Sequence, residues 1–267
     1  MASDPVTRCP YPARPSAQSS VPRAFFLQPH VFLCRAKRHW VILDVHRDKY
    51  LCVDRGQFES LGPWVGGWEE TAGHGGQKVS QGLDKAAEPA AEAMALASKL
   101  LSLEILSERA EGTKAARATA YSHPTGAADL DIPGSARKLA CTHALSFFRS
   151  SARASRQLRD QPFESIVACV KARRRGDRDS ARAFDLERAR SLTSVFDRLR
   201  LFYPRPYLCL FDSLALIHFL ARFGLYADWV FGVQADPFEA HCWVQAGSVV
   251  LNDTVERVSA FTPVMYV

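Results

Sequence analysis

From residue 27 onward the chain leaves a polar, irregular stretch and takes up strand-like patterning. Segments 31–36 (VFLCRA), 39–45 (HWVILDV) and 50–53 (YLCV) are short runs rich in β-branched and aromatic residues, separated by the polar turns 37–38 and 46–49. A helix-like piece follows at 57–61, then a glycine-rich stretch. Pro89 suits the first turn of a helix running to about residue 109, with Ala93, Leu96, Leu100 and Leu103 on one face. Residues 138–148, 163–171 and 184–202 carry helical periodicity, and Pro204 and Pro206 end the last of these and set an extended approach to residue 209. Leu210, Leu214, Ile217 and Ala221 then recur at helical spacing, with Gly224 placed as a C-cap, so a buried helix is expected to begin at Cys209. Segments 227–233 (ADWVFGV), 242–246 (CWVQA) and 249–251 (VVL), broken by Pro237 and Gly247, read as antiparallel strands. Strands and helices grouped in this way predict an α+β fold. The expected divisions are a disordered segment 1–24, a small domain of three strands plus helices at 25–110, an Ala, Gly, Thr and Pro-rich linker at 111–135, and a second domain at 136–267.

Composition narrows the class. A chain of 267 residues with 47% hydrophobic and 23% charged content has ample apolar material for a globular core. Net charge is +6, and the densest basic cluster is KARRRGDR at 171–178. Its plainer reading is a solvated helix end; its functional reading is a contact for peptide, nucleotide or a partner enzyme. Seven Cys at no framework spacing fit a reducing compartment. Residues 1–23 hold no apolar stretch of the kind a signal peptide needs, and Asp212, His218 and Arg222 interrupt the most apolar segment. A cytoplasmic protein with no membrane partner is therefore expected. Neither a Cys-x-x-Cys nor a His-Glu-x-x-His pair occurs, so no metal is expected, and no Walker-type motif suggests a cofactor bound by this chain.

The candidate chemistry lies near the C-terminus. Cys209 opens the helix CLFDSLALIHFLARFG, His241 lies in PFEAHCWVQ and Asp253 in VVLNDT. A thiol on the first turn of a helix meets unpaired N–H groups and the positive end of the dipole, which favour the thiolate. His241 at the start of one strand and Asp253 just past the next would meet across a hairpin. The carboxylate would then fix the imidazole tautomer that faces sulfur. Each residue alone is more often a core thiol or a satisfied polar group; the ordered set points to attack by a thiolate on a carbonyl carbon. Cys242, adjacent to His241, alternates to the other strand face and reads as core. His218 lies roughly 13 Å along the helix from Cys209 by helical rise, too far to share a metal with it. Trp229, Phe231, Phe238 and Trp243 read as core rather than as a substrate platform.

The run CLFDSLALIHFLARFGLYADWVFGVQADPFEAHCWVQAGSVVLND resembles the leader peptidase, or B protein, of lasso-peptide biosynthesis. That family's papain/transglutaminase-like α+β cysteine peptidase domain carries a Cys-Leu-x-x-Ser/Ala-Leu-Ala-Leu helix, a Gly-Val strand, a Pro-Phe-x-Ala-His-x-Trp-Val stretch and a later Asp. The match is close over about the last sixty residues and looser from about residue 136. Cys209, His241 and Asp253 fall on the family's catalytic positions. Asp212, Cys242 and Gln245 depart from its usual residues, and Asp212 so near the nucleophile is expected to oppose thiolate formation. The strand pattern VFLCRAKRHWVILDVHRDKYLCVD resembles, less closely, the winged-helix-like domain that binds leader peptides in ribosomal-peptide modification systems. A small sheet with an open edge accepts an extended peptide as an extra strand.

What the resemblance implies is a cysteine leader peptidase acting on a lasso precursor peptide. It would work beside an asparagine-synthetase-like cyclase, through which any ATP requirement would enter. Two other readings stand beside it, a transglutaminase-like acyltransferase and a non-catalytic peptide- or DNA-binding module. Against DNA, residues 86–111 carry five Glu with only Lys99 and Arg109 as bases, so no nucleic-acid partner is expected.

Overall fold

The computed structural model of the chain describes residues 24–68, 91–128, 140–178 and 184–267. The N-terminal segment expected to be disordered and the helix start at Pro89 lie outside them. In the N-terminal part, β1 (Phe26–Leu27) precedes β2 (Val31–Ala36), β3 (His39–Asp44) and β4 (Lys49–Asp54), followed by α1 (Arg55–Leu61), α2 (Ala91–Ser102) and β5 (Leu106–Ser107). Strands β2, β3 and β4 form an antiparallel sheet in that order, and β1 pairs with β5. Asp54 caps α1, its Oδ1 accepting from the backbone N–H of Gly56 at 2.8 Å.

The helix expected to reach residue 109 stops at Ser102. Glu104 takes a left-handed φ of 52°, and the N–H of Ile105 returns to the carbonyl of Leu100. This is the backbone closure usually supplied by glycine. With Glu there, the sequence carries no stop signal, and the two residues of β5 are released to pair with β1.

The C-terminal part comprises β6 (Gly126–Ala127), α3 (Cys141–Asp160), α4 (Phe163–Arg178), α5 (Leu186–Arg200), α6 (Cys209–Ala221), β7 (Asp228–Ala235), β8 (Phe238–Ala246), β9 (Val249–Val250), α7 (Val255–Ser259) and β10 (Thr262–Tyr266). Its sheet runs β10-β7-β8-β9-β6, antiparallel except for the β6–β9 pair. Helix α6 packs on β8, with α3 and α5 against its other sides. As its composition predicts, α6 is almost wholly buried, and Gly224 at φ 74° ends it with Leu225 N–H bonded to the Leu220 carbonyl. Helix α3 runs well past the expected residue 148. Its inward face there is made of Ser150, Ser151, Ala154 and Gln157, too small or polar to register as an apolar stripe.

The two parts share a core. Along β2 and β3, Val31, Leu33, Trp40 and Ile42 point to one face and pack with α1 and α2; Cys34, Ala36, Val41 and Leu43 point to the other and join the core around α6. Strand β10 lies against β2 and β3. Residues 111–128 run between the two sheets and bond to both: Thr119 N–H donates to the Leu33 carbonyl, its hydroxyl donates to the Val264 carbonyl, and β6 joins the C-terminal sheet.

Candidate active site

The approach to Cys209 is shaped by a buried ion pair. Arg200, at the end of α5, is 2% exposed; its guanidinium pairs with Asp212 and donates to the carbonyls of Tyr203, Arg205 and Pro206. Segment 201–208 is thereby wrapped around one side chain. Asp212, in the first turn of α6, also accepts from the N–H of Leu208 at 2.7 Å, so its charge is directed back to the helix entry. Leu208 occupies the N-cap and offers no side-chain oxygen. The N–H groups at the start of α6 are therefore not covered by a side-chain cap, and their partial positive charge falls beside the Cys209 sulfur.

The structure brings Cys209, His241 and Asp253 together. His241 Nε2 meets Asp253 Oδ2 at 2.6 Å, and the imidazole also bonds the Cys209 thiol. Asp253 is held in turn by the N–H of Thr254 at 2.8 Å. Hydrogen bonds from the Cys242 side chain and from His241, a further one from the Cys242 backbone, and the imidazolium charge outweigh burial and bring Cys209 down to about 4. Burial pulls His241 the other way, but its bonds to Asp253 and Cys209 and their charges raise it to about 9. Asp253 is lowered: burial would raise it, and the bonds to His241 and Thr254 prevail. Thiolate and imidazolium are thus the resting forms near neutrality, the state of an activated thiol nucleophile.

Three further residues lock this geometry. Ser213 donates to the Cys242 carbonyl at 3.2 Å, Asn252 Nδ2 donates to the Ser213 hydroxyl at 3.0 Å, and Asn252 Oδ1 accepts from Val244 N–H at 2.7 Å. Helix α6, β8 and the Asp253 loop are so tied at one point. Gly232 faces His241 across the β7–β8 pair, and a Cβ there would lie 2.8 Å from the Trp243 ring and 2.9 Å from Phe261. Both rings pack on the imidazole, with centroids 6.1 Å and 5.1 Å away.

Sequence reasoning missed Arg200, Ser213 and Asn252. Only the adjacency of Asn252 to Asp253 hinted at any of them. Cys242 is core, 3% exposed, but also donates to Cys209. His241 does not open its strand: β8 starts three residues earlier, at Phe238. Residues 238–240 are exposed, so they show no apolar alternation although their backbones pair with β7. Phe238 corrects the expectation of four core aromatics. It is 47% exposed and its ring lies tilted against Tyr50 of β4 with centroids 5.6 Å apart, whereas Trp229, Phe231 and Trp243 are buried. His218 is a satisfied core imidazole, bonded to Gln157 Oε1 at 2.5 Å and to Arg173. No group of three or more His, Cys, Asp or Glu is placed to hold a metal ion among the described residues, and no helix among them is long and apolar enough to cross a membrane.

Residues 145–266 match the family described as the transglutaminase-like superfamily. The C-terminal part of the chain therefore carries a transglutaminase-like α+β core domain, preceded by a small β-sheet region with helices. A domain of this class points to thiol-based chemistry on acyl groups, of the cysteine peptidase or acyltransferase type. No curated protein and no solved structure matches the chain.

Proposed function

We propose that this protein is a cytoplasmic cysteine peptidase that removes the leader from a ribosomally made lasso-peptide precursor. The observation that carries the reading is the arrangement of Cys209 against Cys242 and against a His241 that is itself bonded to Asp253 at 2.6 Å, contacts that lower the thiol. The Cys209 thiolate attacks the carbonyl carbon of the last leader residue, and the tetrahedral oxyanion is met by the N–H of Cys209. The His241 imidazolium gives its proton to the departing amine of the core peptide, leaving a leader thioester on sulfur. A water then attacks the thioester with His241 as base. The leader leaves with a free carboxylate, and the thiolate–imidazolium pair is restored. Asp253 holds the ring orientation throughout. The freed core amine would pass to an asparagine-synthetase-like cyclase, through which ATP would be used; no step above needs a cofactor.

The N-terminal sheet supports the leader-binding half of the proposal. Among the described strands β4 pairs only with β3, so its outer edge offers backbone groups to an added strand. Tyr50, at the start of β4, touches Phe238 at the start of the His241 strand, so a leader held on that edge antiparallel to β4 would direct its C-terminal side toward the His241 strand. Such tethering raises the effective concentration of the scissile bond. The superfamily match favours one second reading, in which an amine rather than water accepts the acyl group from Cys209. The test is to incubate the full chain with the precursor encoded beside it, with and without the cyclase, and follow products by mass spectrometry. Free leader with a C-terminal carboxylate, absent for Cys209→Ala and His241→Ala, is the expected result. A ligated product without a free core amine favours acyl transfer, and no cleavage in any combination overturns the proposal.

A further inference from the structure

At the far end of α6 from Cys209, two adjoining cavities of about 270 and 750 Å³ open between α3, α4 and the α6 terminus. Five arginines line them: Arg149, Arg153 and Arg156 from α3, Arg173 from α4 and Arg222 just past α6. Arg149, Arg153 and Arg222 line both cavities, which makes them one continuous cationic surface. None of the five is in an ion pair with a carboxylate among the described residues. The one carboxylate on either wall, Asp160, is bonded to Arg159 and is also lowered by the charge of Arg156. Arg153 Nε is buried with no hydrogen-bond partner. Its terminal nitrogen reaches only the Cys169 sulfur, at 3.7 Å. The field they create is visible on His218, which burial together with the charges of Arg153 and Arg173 lowers to about 3.

Five guanidiniums gathered on one face, with Asp160 the one carboxylate on the walls, repel one another, and water screens the exposed Arg149, Arg156 and Arg222 more than it does Arg153 and Arg173. Planar forks of this kind match phosphate oxygens in pairs, and a ligand with several adjacent charges would satisfy several at once. A recess on this scale, lined by guanidiniums from three segments, suits a small and highly charged ligand. The flat face of an acidic protein would not reach into it. We propose that this cavity is a binding site for a polyphosphate chain, carried by a nucleotide or by inorganic polyphosphate. It is separate from the thiol chemistry and independent of the leader-peptidase reading. Within KARRRGDR, it takes Arg173; Lys171 lies over the Phe32 ring and Arg174 pairs with Asp228.

The test is isothermal titration of the full chain with inorganic tripolyphosphate and with ATP at about 0.15 M salt. Sodium sulfate at matched ionic strength and a Glu-rich peptide serve as comparisons. Saturable tripolyphosphate binding is expected, weakened at least tenfold in the R149A/R222A variant. Both side chains are exposed, so the variant should keep the wild-type far-UV circular dichroism and unliganded melting temperature. A parallel variant, Arg153→Lys, keeps the charge but loses the fork, and should also weaken binding. Tighter binding of ATP than of tripolyphosphate assigns a nucleotide as the source, and equal binding an inorganic one. No saturable binding, binding unchanged in R149A/R222A, or preference for sulfate or the Glu-rich peptide overturns the proposal.

Discussion

Asp212 lies three residues after Cys209, where a carboxylate is expected to hinder thiolate formation. Its position resolves the conflict: both oxygens are engaged, one by the buried Arg200 and the other by Leu208 N–H. The charge is paired at the helix entry, and although it still raises Asp197, it is not among the groups that shift Cys209. Asp212→Ala leaves a buried guanidinium without its partner and should cost about 3–5 kcal/mol of stability, read as a lower urea midpoint at unchanged m-value. The thiol itself should follow the signs of its shifts. Cys209 is depressed to about 4, so thiolate persists down to that pH; His241 is raised to about 9, so imidazolium persists up to it. Thiol-dependent turnover should form a plateau between those limits and fall on both sides, whereas iodoacetamide alkylation should fall only on the acid side. In His241→Ala the thiol loses one of its two side-chain hydrogen bonds and the imidazolium charge, and alkylation at pH 7 should slow by about tenfold or more.

Individual elements were legible where their pattern was local. Helix α6 announced itself by its apolar spacing and by Gly224; β2, β3 and β4 by β-branched runs between polar turns. The order Cys, His, Asp along α6, β8 and the following loop was readable for the same reason, each residue lying beside a strong local motif. Elements were missed where partners were distant. The end of α2 depends on a left-handed Glu104, and the length of α3 on a face of serines that the helices packed on it, α6 foremost, make buried. Gly232 belongs to this group too, since its requirement for glycine comes from Trp243 and Phe261 and not from its own backbone. Gly232→Ala forces those rings away from a backbone that otherwise tolerates alanine. It should cost about 1–3 kcal/mol by overpacking, seen as a lower melting temperature, and should reduce activity by displacing the ring that holds His241.

At the scale of the whole molecule, strands β2 and β3 are buried on both faces, and one face belongs to the core of the C-terminal domain. The continuous apolar run WVIL of β3 fits that position, since a strand covered on one side only would alternate. Residues 136–267 expressed alone would expose the face that meets Cys34, Ala36, Val41 and Leu43. That fragment should bind a hydrophobic dye and aggregate, while the intact chain does not. The Tyr50–Phe238 contact joins the edge strand to the His241 strand. If the leader is held at that edge, Tyr50→Ala should raise KM for the leader-bearing precursor severalfold with a smaller change in kcat. Equal kinetics would separate the sheet from substrate positioning.

Local spacing was enough to read the α+β class, the nucleophile helix and the residues that meet in the site, because apolar periodicity and helix-end chemistry act over a few residues. Folding in three dimensions set which charges cancel and which remain. It joined Arg200 to Asp212, Asn252 to Ser213 and five arginines to one another across three helices. Electrostatic energy depends on distance through space, and no spacing along the chain encodes it.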